Sequence, residues 1–588
     1  MSLELIPEIF KLPITYDNNV RTLDTNIINS LELVKLIEEK QDIDTTLIHK
    51  PIYEYIFKPS NVLGNIILKE VPKYYTTNIK YLKDTQQLLS LYAKPIDLPT
   101  YSDCNIDEYV NIWKELQLQT GFCEKYLFVD WEFAKTLNNN PLFLQLMSSY
   151  NIVSPILSLL LPIFILIVPF LILKISNMPI NITTYIDILK NLASHHAIGK
   201  IFTEFQDVSI NQKLYLILSA GFYVFSIYQN VLICCRFYSN MKTIHDYIYK
   251  FKNYLNYTID NMTLYLSKSN NLSSYTLFNN NVHMHLQHLQ KLNNDIYKIT
   301  PLSFSIDKFF QIGHIMYTFY QLYDNKQYNE SLLYSFGFNG YVNIIQGMSS
   351  NIVNSQLNKA QFVSSNKHIK PKFKNTYYPK FIDNNSCSKN NIVKNSFNLD
   401  KNIIITGPNA SGKTTILKTA IINLLVSQQF GMGCFERLKF KPFDNFHCYL
   451  NIPDTSGRDS LFEAEARRCK NIINSINASS LENYFCIFDE LYSGTNPKEA
   501  ELSASAFMNY IVKCKNVTCL LTTHYVKICN NLKNNINIKN CKMNTIKQDG
   551  NLINKYKLIS GISNILGGCN ILKNMNYPQE IIMSTAGA

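Results

Sequence analysis

The 14 cysteines of this 588-residue chain form no C-x-x-C pair and have no histidine partner at zinc-finger spacing, which excludes a zinc ribbon or dithiol redox centre built on those patterns. The one adjacent pair, Cys234-Cys235, lies in an apolar run, and the thiols read as reduced thiols of a cytosolic or membrane protein. Blocks of like charge are missing too. The net charge is +12 and the pI near 8.8, yet the lysines are scattered, so the charge permits nucleic acid or anionic lipid without selecting either. The N-terminal MSLELIPEIFKLPITYDNN has acidic residues and no apolar core of the length a signal peptide needs. The abundance of Asn, Lys, Ile and Tyr, with 38 tyrosines, is a compositional bias and carries no functional signal. Length implies about three or four structural units.

Two stretches lack charge altogether. Ile152 to Leu173, IVSPILSLLLPIFILIVPFLIL, is 22 residues long, and a helix at ~1.5 Å per residue would cover the ~30 Å hydrocarbon core of a bilayer. Pro155, Pro162 and Pro169 recur every seven residues, near one helical face; spanning helices tolerate prolines where neighbours satisfy the freed carbonyls. Leu214 to Cys235 has the same length and is interrupted only by the polar Gln229 and Asn230. The pair reads as a transmembrane hairpin, helices at 152–173 and 214–235, with a 174–213 loop on the far side of the membrane.

Residues 1–150 read as a mainly helical soluble region without a motif attached to chemistry. After the second span, Met241, Ile244, Ile248, Phe251, Leu255 and Met262 follow 3–4 spacing, with Thr258 as a polar interruption, as expected of a helix packing in the core of a 236–364 lever or stalk region. The Lys/Asn-rich segment 366–401 marks the approach to a C-terminal domain starting near 365. His283, His285 and His288 stand at i, i+2 and i+5, which does not place three ligands on one helical face; a solvated helix surface is expected.

The chemistry lies in that C-terminal domain. Ile403 to Thr406 is an apolar strand entering Gly407-Pro408-Asn409-Ala410-Ser411-Gly412-Lys413-Thr414-Thr415, a G-x-x-x-x-G-K-T loop. Such a loop turns successive N–H groups toward one anion, with the following helix dipole behind them, and so binds the phosphates of ATP or GTP. Lys413 would reach the β- and γ-phosphates and Thr414 the Mg²⁺ that bridges them. A second apolar strand, Tyr484 to Phe488, ends in Asp489-Glu490, 76 residues beyond Lys413. Asp489 would hold Mg²⁺, and Glu490 would orient or deprotonate the attacking water. A third, Val517 to Leu521, ends in Thr522-Thr523-His524-Tyr525, where His524 can donate to a γ-phosphate. Between the two Walker elements Ser460 and Glu463 fit a capping box, which starts a helix with free N–H groups.

Thr406 to Thr415 (TGPNASGKTT), Asp489 to Thr495 (DELYSGT) and Thr522 to Tyr525 (TTHY) together resemble the ATPase domain of the MutS DNA mismatch-repair family. Ser460-Leu461-Phe462 with Glu465 is similar to its signature region, and Ser560-Gly561-Ile562 through Pro578-Gln579-Glu580 to its closing segment. The resemblance covers about 365–588 and implies an α/β P-loop ATPase domain of ABC type, using ATP and Mg²⁺. It further implies a homodimer through the ATPase domains, in which Ser460 of one subunit completes the site of the other. The family stacks adenine on an aromatic upstream of the P-loop; the counterparts here are Ile392 and Val393, which pack on a base without stacking as a ring does. The Phe-x-Glu wedge of mismatch readers has no counterpart in the N-terminal region, and Phe202-Thr203-Glu204 lies between the two spans.

The expectation is therefore a membrane-anchored, multi-pass MutS-like ATPase, such as bacteria and large DNA viruses encode, with its N- and C-terminal domains cytosolic because the nucleotide site requires it. It would act as an ATP-driven, DNA-associated switch related to mismatch repair. The alternative is a membrane ATPase of the same mechanism that moves the hairpin or a partner and binds no DNA.

Overall fold

The computed structural model describes residues 3–37, 49–95, 105–176, 181–195, 199–201, 205, 209–303, 305–364, 370–383, 392–450, 460–548, 551–565 and parts of 567–586. Phe202-Thr203-Glu204 and the 451–459 stretch before Ser460 lie outside the described residues. The chain divides into two compact units, one of residues 1–5, 101–260 and 285–333, the other of 6–100, 261–284 and 334–588. This division differs from the expected boundaries at 151 and 365. Residues 6–100 fold with the C-terminal domain because their polar groups close its far end: Tyr53 donates to Gln429 Oε1 (2.7 Å), Gln428 Nε2 donates to the Thr76 carbonyl (3.2 Å), and Arg21 pairs with Glu482 (3.0 Å).

The first unit is helical. Helix α1 (Pro141–Ile175) is capped by Asn140, whose side chain accepts from the Leu142 and Phe143 amides. Helix α2 (Ile210–Ser269) joins the second apolar run to the 3–4 stripe in one element of 60 residues. The stripe is core, with Met241, Ile244, Ile248, Phe251, Leu255, Met262 and the interrupting Thr258 all buried. Two helical segments, Pro141–Leu160 and Ile210–Ser269, are long and apolar enough to cross a membrane by length and composition. The prolines leave α1 unbroken, and one reason is visible in its neighbour. Pro162 has no N–H for the Ser158 carbonyl four residues back, and the Tyr223 hydroxyl of α2 donates to that carbonyl at 2.7 Å. Helix α3 (Ile306–Asp324) packs on α1.

Of the three histidines, His283 is exposed as expected, and the other two depart from expectation. His285 is buried rather than solvated, and Ser331 Oγ lies 3.1 Å from Nδ1 of both His285 and His288. Burial pushes the His285 pKa down to about 4, so the ring is neutral at physiological pH. The i, i+3 relation of His285 and His288 brings two rings to one hydroxyl on a neighbouring helix, and packing there outweighs the polar character of the run.

The second unit is built on a six-stranded sheet: β1 (Asn402–Thr406), β2 (Asn445–Tyr449), β3 (Tyr484–Asp489), β4 (Val517–Thr522), β5 (Ile538–Gln548) and β6 (Asn551–Ser560), in spatial order 2-3-4-1-5-6. All neighbours are parallel except the hairpin of β5 with β6. Strands covered on both faces are continuously apolar, and β1 and β4 are buried at every position. Helix α4 (Lys413–Phe430) follows β1, α5 (Leu461–Ala478) precedes β3, and α6 (Pro497–Ile511) lies between β3 and β4. The register pairs Asp489 with Thr522 and Thr522 with Ile405, so the ends of β1, β3 and β4 open on one edge.

Candidate nucleotide site

At that edge the chain reverses from β1 into α4 through residues 407–412. Gly412 has φ +93° and Ala410 φ +59°, left-handed conformations that curl the backbone; glycine adopts them without a Cβ clash. Gly407 is required for space, since a Cβ there would stand 2.8 Å from Ser411 Oγ. That Ser411 hydroxyl is buried and has no hydrogen-bond partner among the described residues, a donor held ready for an anion within the loop.

Lys413, the first residue of α4, is 6% exposed. Its Nζ donates to the Gly407 and Pro408 carbonyls at 3.2 and 3.4 Å, lies 3.0 Å from His524 Nε2 and 3.9 Å from Glu490 Oε1. Burial lowers its pKa and the Glu490 and Asp489 carboxylates oppose the shift. Thr414 Oγ1 donates to Asp489 Oδ2 at 2.8 Å, and Thr522 donates to the other oxygen, Oδ1. A hydroxyl and a carboxylate so juxtaposed form a hard oxygen donor set of the kind Mg²⁺ selects.

Glu490 follows β3 in the left-handed region, φ +52°, a conformation costing of order 1 kcal/mol for a residue with a Cβ. The turn aims its carboxylate at His524, whose Nε2 is 2.9 Å from Oε1. That contact, with Lys413 adding to it, holds the Glu490 pKa below the usual carboxylate range against the opposing effect of burial. The next residues are held by a group that spacing alone does not single out. Glu465 on α5 is 2% exposed; Oε1 accepts from the Ser493 amide (3.1 Å) and hydroxyl (3.0 Å), and Oε2 from the Gly494 amide (3.1 Å). The Tyr449 hydroxyl accepts from the Tyr492 amide at 3.1 Å. Gly494 lets α5 approach, because a Cβ there would meet Leu461 Cγ at 2.6 Å.

Ser460 is the N-cap of α5. Its hydroxyl accepts from the Glu463 amide and the Glu463 side chain accepts from the Ser460 amide, at 3.3 and 2.9 Å. It is exposed and is absent from the lining of the cavity above Lys413. That cavity, about 740 Å³, is bounded by the loop residues Asn409 to Thr415, Glu490, Ile392 and Val393. Aromatic rings that the sequence reading did not assign also line it: Tyr377, Tyr378 and Phe381 upstream, and Tyr556 on β6. The signal was the run Tyr377-Tyr378-Pro379-Lys380-Phe381, whose proline opens a single 3₁₀ turn and brings Phe381 back to the cavity.

The MutS domain V family model matches residues 403–588. Endonuclease MutS2 of Staphylococcus carnosus is 29% identical over 233 residues, covering 38% of this chain and 29% of that protein. DNA mismatch repair protein Msh3 of Dictyostelium discoideum is 28% identical over 243 residues, 38% and 16% respectively. DNA mismatch repair protein MutS of Staphylococcus haemolyticus is 26% identical over 237 residues, 38% and 26%. The chain thus covers less than a third of the length of each of these relatives.

Proposed function

We propose, from a C-terminal region that is a MutS domain V, an ATPase domain, that the whole chain is an ATP-hydrolysing, MutS-like switch anchored in a membrane by its hairpin. The observation that carries the hydrolytic part is the convergence of five side chains: Lys413, Thr414 and Glu490 line one cavity, Asp489 accepts from Thr414, and His524 lies against both Lys413 and Glu490.

In this reading the loop amides, Ser411 Oγ and Lys413 Nζ bind the phosphates, whose oxygens take the place of the Gly407 and Pro408 carbonyls as acceptors for the ammonium. Thr414 and Asp489 would hold Mg²⁺, which supplies charge neutralisation between the β- and γ-phosphates. Glu490, kept ionised by His524, orients a water and accepts its proton as the water oxygen bonds to the γ-phosphorus. The bond from that phosphorus to the β,γ-bridging oxygen breaks, leaving ADP and phosphate. His524 donates to the γ-phosphoryl oxygens, coupling their presence to the position of Glu490. The base packs among Ile392, Val393 and the rings of Tyr378, Phe381 and Tyr556. Ser460, exposed at the start of α5, completes the site of a second subunit, so that ATP closes a homodimer through the ATPase domains.

The membrane part rests on two observations. The helices carrying 152–173 and 214–235 expose Ile156, Leu157, Phe164, Leu218, Phe222 and Phe225 to the surroundings, and apolar side chains so numerous on a surface require a covering phase. The freed Ser158 carbonyl is satisfied from within the helix pair, as lipid demands. With both flanking regions cytosolic, the 174–213 loop lies across the membrane. The names of the relatives favour DNA as a partner of the switch. The exposed hairpin favours the second reading, a membrane ATPase that drives the hairpin or a partner without DNA.

The deciding experiment measures ATPase rate and DNA binding of the detergent-solubilised chain with paired and mismatched duplexes across a salt series. Saturable, salt-sensitive DNA stimulation supports the DNA-associated switch. Robust hydrolysis indifferent to DNA selects the second reading, and absence of hydrolysis under both conditions refutes the assignment of Glu490.

A further inference from the structure

Helix α1 is longer than a bilayer core requires. From Thr136 to Leu173 there is no charged residue, whereas ~20 residues suffice to cross the hydrocarbon. The surplus lies before Ile152, and its exposed positions are apolar: Leu142, Leu146 and Tyr150, at 75, 72 and 65% exposure, follow i, i+4, i+8 spacing along one face. Beside them the first turn of α3 presents Ile306 and Phe310, again i and i+4, at 77 and 69% exposure.

The register between the two helices is fixed by Gln145. Its Nε2 donates to the Phe309 carbonyl at 2.8 Å and its Oε1 accepts from the Gly313 amide at 2.7 Å. A Cβ at Gly313 would stand 2.3 Å from the Pro141 carbonyl, so the glycine permits this close approach. Gln145 is seven residues before Ile152, about 10 Å along the axis. Phe310 therefore sits near that depth and Ile306, one turn earlier in α3, nearer to Ile152. The charge in that turn is turned away: Lys308 is buried and its ammonium is bonded to the Thr300 carbonyl and hydroxyl. Asp307 remains exposed, about 100° around the helix from Ile306, at the border of the apolar face.

We propose that Leu142, Leu146, Tyr150, Ile306 and Phe310 form a collar that inserts into the interfacial layer of the bilayer holding the hairpin, giving the cytosolic unit a second, peripheral contact with lipid. The inference rests on the membrane reading above. Lipid is the occupant because the patch continues, without an intervening charge, into the surface assigned to the hydrocarbon core. The collar extends from about 3 Å (Tyr150) to about 15 Å (Leu142) outside Ile152 at ~1.5 Å per residue, so it takes in the headgroup layer, which adds roughly 5–8 Å to each side of the hydrocarbon core. The collar fixes the orientation of α3 to the membrane plane, which a two-helix hairpin alone would leave free to tilt.

The test uses the full chain in phosphatidylcholine vesicles. Its two tryptophans are Trp113, fully buried, and Trp131, exposed, so Trp131→Phe leaves a shielded background. In that background Leu166→Trp reports the hairpin and Phe310→Trp the collar, each against lipids brominated near the headgroup or near the chain end. The expected result is a roughly twofold loss of Phe310→Trp emission with shallow bromines and preferential quenching of Leu166→Trp by deep ones. Quenching of Leu166→Trp alone would overturn the collar while leaving the hairpin standing. A blue-shifted but unquenched Phe310→Trp would also overturn it, as the mark of cover by a second copy or another protein. If neither is quenched, the membrane reading falls and the collar with it.

Discussion

Replacing Glu465 with Gln isolates the one buried carboxylate that anchors the turn carrying Glu490. The substitution keeps the shape and, with its oxygen in the Oε1 position, keeps both bonds from Ser493. The amide NH₂ must then face the Gly494 N–H, which loses the carboxylate oxygen now 3.1 Å away. A hydrogen bond to a charged group contributes about 1.5–3 kcal/mol, and a buried donor left unpaired costs about 1–3 kcal/mol. A net local destabilisation of about 2–3 kcal/mol follows, which at tenfold per 1.4 kcal/mol is a roughly 30- to 140-fold rise in the opening equilibrium of this turn. Amide hydrogen exchange reads that quantity directly for peptides spanning 490–495, provided the turn opens below the global limit. Hydrolysis should fall with it, because Glu490 and Tyr492 are held at φ +52° and +60° and relax once the anchor goes. Ser460→Ala is the control, since it removes the cap at the start of the same helix at a cost of about 1 kcal/mol and speeds exchange at 461–464 without releasing 490–495. If exchange across 490–495 in Glu465→Gln rises less than about threefold, equivalent to under about 0.7 kcal/mol, the carboxylate does not hold the turn and the reasoning is wrong.

Four further outcomes are expected. Glu490→Gln should retain ATP binding and slow steady-state turnover by about 10²–10⁴-fold, trapping a closed dimer; rapid turnover would remove Glu490 from the role of base. Lys413→Ala should abolish nucleotide binding by equilibrium dialysis, and an unchanged affinity would sink the phosphate assignment. Mixing a Ser460→Ala chain with a Lys413→Ala chain should restore about one working site per pair, whereas no recovery would indicate a site completed within one subunit. His524 holds the Glu490 pKa below the carboxylate norm, so the stabilisation is present above the unfolded pKa and is lost as pH falls through the lowered folded value. In a pH profile of kcat/KM, His524→Ala should therefore move the acid limb to higher pH, and an unmoved limb would show that Glu490 does not set it.

The geometry of the candidate nucleotide site was legible because it is carried by contiguous backbone. A glycine-bearing loop, a lysine and a threonine stand between an apolar strand and a helix, and a parallel strand ends where Asp489 begins. The 76-residue interval to that aspartate reads as a strand connection once the loop is recognised. The buried 3–4 stripe of α2 was equally visible, since helical periodicity is a local property. Other features were hidden because they depend on which distant surfaces meet. Nothing near Tyr53 announces that it bonds Gln429, 376 residues away, so residues 6–100 read as a separate region although they close the far end of α4. The polar run at His283 to His288 looked solvated, and only its packing against Ser331 makes His285 a buried, neutral ring. Likewise Ile392 and Val393 line the cavity, but the rings beside them come from a 3₁₀ turn and from β6, and chain order does not say that those two elements share a wall.

By itself, then, the sequence determined the local chemistry: a loop of phosphate-binding type whose glycines shape the backbone and whose lysine offers its ammonium, an Asp-Glu pair at a strand end, a capped helix at Ser460, and charge-free helical runs. The tertiary structure decided the partners of that chemistry: Glu465 beneath the turn, His524 against Glu490, the aromatic wall, and the N-terminal residues clamped on Gln428 and Gln429. The division has a physical cause, because propensity and loop geometry are set by neighbours along the chain, whereas burial and hydrogen-bond satisfaction are set by neighbours in space.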